Sequence, residues 1–192
     1  MALTDYRTSA TARSLHFFTD SGFMREQLDV NPPYQRGVVW GTKRKRNLIR
    51  SLLSGIPIPS VVINDRSVRF EDWDAEVDAS YVVVDGKQRI TAIRDFVDGK
   101  FTVPGHWFDV DADEVLFTDL DKSDQLHFMH RPIAVSEAKL ATLDEEREMF
   151  DLINFGGLAQ GEVDDDLLEQ SEPGFPATQS PPTVGTSSGV GL

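Results

Sequence analysis

There is no cysteine among the 192 residues, which excludes disulfides and thiolate metal centres and agrees with a cytoplasmic setting. No apolar run approaches the roughly 18 residues that a membrane span requires. Met1 to Ser14 carries no apolar stretch ending in a small-residue cleavage site, so no secretory signal is expected. Also missing are a glycine loop followed by Lys-Ser or Lys-Thr, a nucleophile elbow and a zincin signature, so the P-loop, serine-hydrolase and zincin readings drop out. Of the four histidines, His16, His106, His127 and His130, only the last two are close in sequence, and a surface or capping role suits them better than metal ligation. Basic residues are outnumbered: 19 Lys and Arg against 32 Asp and Glu give a net charge of −13. That balance argues against a protein that coats DNA through a broadly cationic surface.

The length suits one buried core plus a tail. A hydrophobic share of 40% beside 27% charged residues is that of an ordinary folded domain. The acidity is concentrated: Glu162, Asp164, Asp165, Asp166, Glu169 and Glu172 occur with no basic residue between them, and setting these six aside leaves −7. A basic patch can therefore sit on the domain, and Lys43, Arg44, Lys45 and Arg46 supply one. Three regions are expected: an N-terminal arm over 1–24, a domain over 25–160, and a tail over 161–192. The tail is first acidic, then rich in Pro, Gly and Ser, and such a composition is expected to be disordered.

Within the domain, Gln27 to Val30 reads as a brief strand stopped by Asn31-Pro32-Pro33. Thr42 is expected to cap a helix whose apolar stripe is Leu48, Ile49, Leu52 and Leu53, with Gly55 as its stop. Ser60 to Asn64 and Tyr81 to Val84 read as buried strands. Lys87 to Asp98 reads as a helix with Ile90, Ile93, Phe96 and Val97 on one face. Strand-like pieces are expected at 101–103 and 107–110, and a short helix at 120–129. Arg131 to Val135 is expected to be an edge or terminal strand because Pro132 lacks a donor. A last helix from Asp144 to Ile153 ends before Gly156-Gly157. The fold class is α+β.

Four features carry chemistry. Asp85-Gly86-Lys87-Gln88-Arg89 joins a strand to a helix start, where unpaired N–H groups and the helix dipole favour an anion. Gly86 permits close backbone approach, Lys87 and Arg89 add cations, Gln88 offers a donor and an acceptor, and Asp85 can hold a divalent metal or orient a water. A solvated Asp-Gly turn ahead of a charged helix face has the same spacing. Tyr34-Gln35-Arg36 with Trp40 suits stacking and hydrogen bonding to a base or phosphate, or simply anchors a loop. Lys43 to Arg46 place four cations in a first helical turn, against the dipole, which calls for an anion or leaves a solvated face. Asn154-Phe155-Gly156-Gly157 closes a helix with an amide and a double glycine.

Taken in order, Asn31-Pro32-Pro33-Tyr34-Gln35-Arg36 with Trp40, Leu48 through Pro59, Val83 through Ile93, and Ile153 through Gly157 resemble one family. It is the N-terminal domain of GmrS/GmrD-type modification-dependent restriction enzymes, in the ParB/sulfiredoxin superfamily, and the resemblance spans about 25–160. It implies a ParB/sulfiredoxin-like domain, a small mixed sheet with packed helices, in which an Asp-Gly-Gln-Gln-Arg motif binds and hydrolyses a nucleoside triphosphate with a divalent metal such as magnesium. Asp85, Gly86, Gln88 and Arg89 match that motif, and Lys87 replaces its first glutamine. Gln35 and Arg36 match the Tyr-Gln-Arg element, while Asn154, Gly156 and Gly157 match the late element. The C-terminal histidine-containing nuclease region common in the family has no recognisable counterpart here.

The leading expectation is thus a nucleotide-binding domain with triphosphatase activity in DNA restriction or phage–host defence. In it Asp85, Gln88 and Arg89 are catalytic, Asp85 is the metal ligand, and Tyr34, Gln35, Arg36, Gly86, Lys87, Asn154, Gly156 and Gly157 bind the nucleotide. ATP, GTP, CTP and UTP all remain open. The expected partners are a nuclease-domain protein or DNA, with no membrane and with oligomerisation open. The alternative is a non-catalytic module, a split-system subunit or an inhibitor, that uses the same pocket and the acidic tail to hold a partner. A stand-alone nuclease is disfavoured by the lack of a second metal-binding cluster.

Overall fold

The computed structural model describes residues 6–19, 23–67, 70–71 and 79–155. In chain order it comprises β1 (Thr8–Ser14), α1 (His16–Thr19), α2 (Phe23–Gln27), β2 (Leu28–Asp29), α3 (Thr42–Leu53), β3 (Val61–Asp65), β4 (Tyr81–Asp85), α4 (Lys87–Val97), β5 (Val103–Pro104), β6 (Glu114–Val115), α5 (Lys122–Met129), β7 (Pro132–Ala138) and α6 (Leu143–Phe155). The architecture is α+β. Five strands form one mixed sheet in the order β1-β7-β3-β4-β2, and β5 and β6 form a two-stranded ribbon. In the large sheet β1/β7 and β3/β4 are antiparallel, while β7/β3 and β4/β2 are parallel.

The β-branched runs of β3 and β4 are buried on both faces because helices cover both. Val61, Ile63 and Val83 join Leu48 and Ile49 of α3 and Ile90, Ile93 and Phe96 of α4 in the main core. Val62, Val82 and Val84 project the other way, into a smaller core with Leu140, between β7 and α6, and with Met149 of α6. Full burial of one such side chain contributes about 1.5–3 kcal/mol, so the two clusters fix which face each residue of β3 and β4 presents. Outside the sheet, Arg25 of α2 grips Asp98 just beyond α4 through two hydrogen bonds of 2.9 and 2.7 Å. Those bonds hold the Asp98 carboxyl below the usual carboxylate range.

Several expectations are corrected. Residues 8–14, read from the sequence as part of an arm, form the outer strand β1. β7 is then interior rather than an edge. Pro132 is tolerated because it is the first residue of its strand, paired with Ser14 on one side, while β3 joins the other side only from Val135 onward. The piece at 107–110 is not a strand: Gly105–Phe108 is a 3-10 turn, and the Val110 N–H bonds back to the Gly105 carbonyl. Thr42 is the first helical residue rather than the cap. Gly41 takes the cap position, its carbonyl already accepts from Arg44 and Lys45, and no side chain caps the helix. Gly55, at φ +68°, ends α3 as expected. The acidic and Pro/Gly/Ser-rich tail lies outside the described residues, as do Gly156 and Gly157.

Candidate functional site

The register of β3 against β4 slips at one point: Ile63 faces Val83, but Val62 faces Asp85, so Val84 is bulged out of the ladder. Bulges of this kind re-aim the residues beside them, and here the residue beside the bulge is Asp85, the last of β4. Gly86 follows at φ +104° as the N-cap of α4. An added Cβ would lie 3.0 Å from a Val61 methyl and 3.2 Å from Nη2 of Arg89. Gly86→Ala should therefore cost about 1–3 kcal/mol through backbone strain, before any repacking of Val61, and urea titration would read it.

No side chain caps α4, so its first N–H groups and its positive dipole end are left for another partner. They face a cleft of about 210 Å³, lined by Gln35, Arg36, Trp40 and Arg44 on one side, Asp85 to Arg89 at the base, and Phe150 and Asn154 of α6 on the far side. Pieces separated by more than 100 residues thus meet around one turn.

The charges are unevenly matched. Arg89 Nη2 donates to Oδ2 of Asp85 at 2.6 Å and to the Ser60 carbonyl at 3.0 Å, while its buried Nε has no partner among the described residues. Lys87 is only 7% exposed, and among the described residues nothing accepts a hydrogen bond from it or pairs with its charge. Its side chain lines the cleft, so its charge is open to an outside anion. Arg36 is exposed at the rim. Arg44 lies over the Trp40 ring, with Cζ 4.7 Å from the ring centroid. Against these cations, Asp85 is the cleft's sole carboxylate among the described residues, and Arg89 already engages it.

Both glutamines expected to meet the ligand are otherwise occupied. β2 covers only Tyr81 and Val82 of β4, so the strand's edge is open beyond them. There the Gln35 amide donates to the carbonyls of Val83 and Val84, both at 2.6 Å. Oε1 of Gln88 accepts from the backbone N–H groups of Val39 and Trp40 at 3.0 and 3.3 Å, and its Nε2 donates to the Gly37 carbonyl at 3.0 Å. The two side chains stitch the 35–40 loop to the β4–α4 turn and so place Arg36 and Trp40. They are positioning residues.

Tyr34 does not line the cleft. Its hydroxyl donates to Glu146 at 3.2 Å, and its ring packs on Phe150 at 5.6 Å. Burial, followed by the Glu146 charge, raises its pKa and keeps it protonated. Asn154 reaches the cleft, with its Nδ2 donating to the Phe150 carbonyl. The basic run divides. Lys45 bonds Asp95 at 2.7 Å, and Arg46 bonds Glu114 and Thr102, each at 2.8 Å, so only Lys43 and Arg44 remain open to an outside anion. Burial would raise the Asp95 carboxyl, but the bonds from Lys100 and Lys45 outweigh it and hold the pKa below its ordinary value.

Sequence reasoning missed the support under the far wall. Glu146 is fully buried and takes a bidentate grip from Arg66, at 2.8 and 2.6 Å, together with a 2.8 Å bond from Asn64. This network ties α6, and with it Phe150 and Asn154, to β3.

A divalent metal fits these residues poorly. A hard cation seeks several oxygen ligands, and the described residues contain no group of three or more His, Cys, Asp or Glu able to hold one. A dication at Asp85 would find only Oδ1 free of Arg89 and would sit beside Lys87.

The class defined by fold and site is an α+β domain with a cationic cleft at a strand–glycine–helix corner. More particularly, the chain belongs to the GmrSD restriction endonuclease N-terminal domain family, whose model matches residues 20–169. That membership links it to DNA restriction and phage defence. Neither a curated protein nor a solved structure matches the chain. Among the described residues, no helix is long and apolar enough to cross a membrane.

Proposed function

We propose that the cleft binds a nucleoside triphosphate and hydrolyses it, and that this activity serves a cytoplasmic restriction or phage-defence complex completed by a nuclease-bearing partner or DNA. The observation that carries the reading is Lys87: a largely buried side chain whose charge has no partner among the described residues, beside the uncapped start of α4, in a cleft that also presents Arg36, Arg44 and Arg89. Helix N-termini and fixed cations are the groups that stabilise phosphate charge as it grows in a transition state. In this reading the α4 N–H groups and Lys87 hold the polyphosphate, Arg89 faces the transferred phosphoryl group, and Arg36 closes over it. Trp40, backed by Arg44, offers an aromatic face to the base.

Asp85 accepts from Arg89 through Oδ2 only, so Oδ1 can accept from the attacking water. That water's oxygen bonds to the terminal phosphorus as its proton passes to Oδ1 and on to the released phosphate, the bond to the bridging oxygen breaks, and the diphosphate leaves. The mixed sheet with its anion corner supports reading the fold as ParB/sulfiredoxin-like. The test is calorimetry with ATP, GTP, CTP and UTP, followed by phosphate release with and without DNA. Saturable binding of at least one triphosphate with measurable turnover is expected. Binding without turnover would reduce the domain to a nucleotide-controlled module, and absence of binding would overturn the reading.

A further inference from the structure

We propose that the cleft takes its triphosphate as the free polyanion, with Lys87 occupying the electrostatic place of a divalent cation, so that binding is independent of magnesium and of every other divalent metal. The inference rests on the nucleotide reading above and deepens it.

Three observations lead here. First, the cleft's carboxylate, Asp85, is already neutralised by Arg89 at 2.6 Å. A cation recruited to Asp85 would find one free oxygen, Oδ1, on a carboxylate whose charge Arg89 already balances. Second, Lys87 is 7% exposed and unpaired among the described residues. Its side chain lines the cleft, and a dication seated nearby would be repelled by its charge. Third, Lys87, Arg36 and Arg44 are three cations with no carboxylate partner in the lining, which can largely neutralise a triphosphate by themselves. Magnesium bound to the phosphates would cancel two of the charges that these side chains recognise, and would hold a water shell to which the described lining offers one carboxylate, Asp85.

Lys87 is also suited to the role by its neighbours. It is the first residue of α4, so its ammonium and the free N–H groups of the first turn act on the same anion. Its flexible stem lets the charge follow phosphate oxygens as the ligand settles. Tethering by Gln88 and Gln35 keeps Arg36 close on the opposite side, so the anion is held between cations of two separate elements.

The experiment is calorimetric titration of the full chain with each triphosphate, once in excess magnesium and once in EDTA. Affinity in EDTA equal to or tighter than in magnesium is expected. Binding that EDTA weakens by about tenfold or more, the equivalent of one charge-assisted hydrogen bond, would overturn the proposal while leaving the nucleotide reading intact. Absence of binding under both conditions would instead overturn the nucleotide reading. The variant Lys87→Gln, with Lys87→Met as a second form should the first fold poorly, removes this charge. Each is expected to lose about ten- to a hundredfold in EDTA and to regain part of that loss in magnesium. Affinity unchanged from the parent chain in EDTA would show that Lys87 does not carry the charge.

Discussion

Arg89→Ala is expected to lower triphosphate affinity by roughly three to four orders of magnitude, close to abolishing binding, while thermal unfolding stays cooperative. Two losses add. Charge-assisted hydrogen bonds from the guanidinium are worth about 1.5–3 kcal/mol. Removing it also strips Asp85 of its only partner among the described residues, and a bare carboxylate roughly 6 Å from a phosphate repels it by about 2–3 kcal/mol at an effective dielectric near 20. Together these correspond to the stated range. The cost to folding is smaller, because the Asp85–Arg89 pair spans one helical turn at the protein's surface cleft, with side chains 22% and 14% exposed. Two companions sharpen the test. Arg89→Lys keeps the charge but cannot serve Asp85, the Ser60 carbonyl and a phosphate together, so it should fall in between. Asp85→Asn added to Arg89→Ala should recover the repulsive part of the loss. Calorimetry reads binding and circular dichroism reads the melt; unchanged affinity in the alanine variant would sink the assignment of this turn.

The turn was legible in the sequence for a physical reason. A β-branched run that halts at glycine and continues with helical periodicity describes strand, cap and helix in local terms, and the structure has β4, Gly86 and α4 at those positions. Spacing could also bring Gln35 and Gln88 under suspicion, because an amide beside an anion site suits a ligand. It could not reveal that both amides are spent on backbone groups: those partners depend on where β2 stops and where β4 bulges, which are matters of pairing between distant segments. The same limit applies to the basic run. Lys43 to Arg46 look equivalent on paper, yet Asp95 and Glu114 claim two of the four through contacts about 50 and 68 residues away in sequence. Pro132 misled for a related reason, since its missing donor excludes only its own position in the ladder, and β3 does not reach that far.

Glu146 offered a signal that went unused. With Met149, Phe150 and Ile153 it stands at i, i+3, i+4 and i+7, so a charge sits on the apolar stripe of α6, where only a paired carboxylate is tolerated. Glu146→Ala should accordingly give the largest loss of stability in the molecule. It strands the Arg66 guanidinium, 7% exposed, and takes an acceptor from Asn64 and Tyr34. Breaking a buried pair from one side costs about 3–5 kcal/mol, a large share of the roughly 5–15 kcal/mol that holds a domain together. For a chain of this length the melting temperature should drop by on the order of 10 °C.

Glu146→Gln should lose less. Its oxygen can still accept from Arg66 Nε and Asn64, and Tyr34 can turn its hydroxyl to accept from the new amide, leaving one donor–donor clash with Arg66 Nη2. The two alanine variants then separate the protein's two kinds of charge. At Arg89 the loss falls on ligand affinity with a nearly parental melt. At Glu146 it falls on the melt, and affinity measured well below the transition should weaken only as far as the wall carrying Phe150 and Asn154 loosens. Equal effects of the two substitutions on both measurements would contradict this division between a cleft that binds and a buried pair that holds its wall in place.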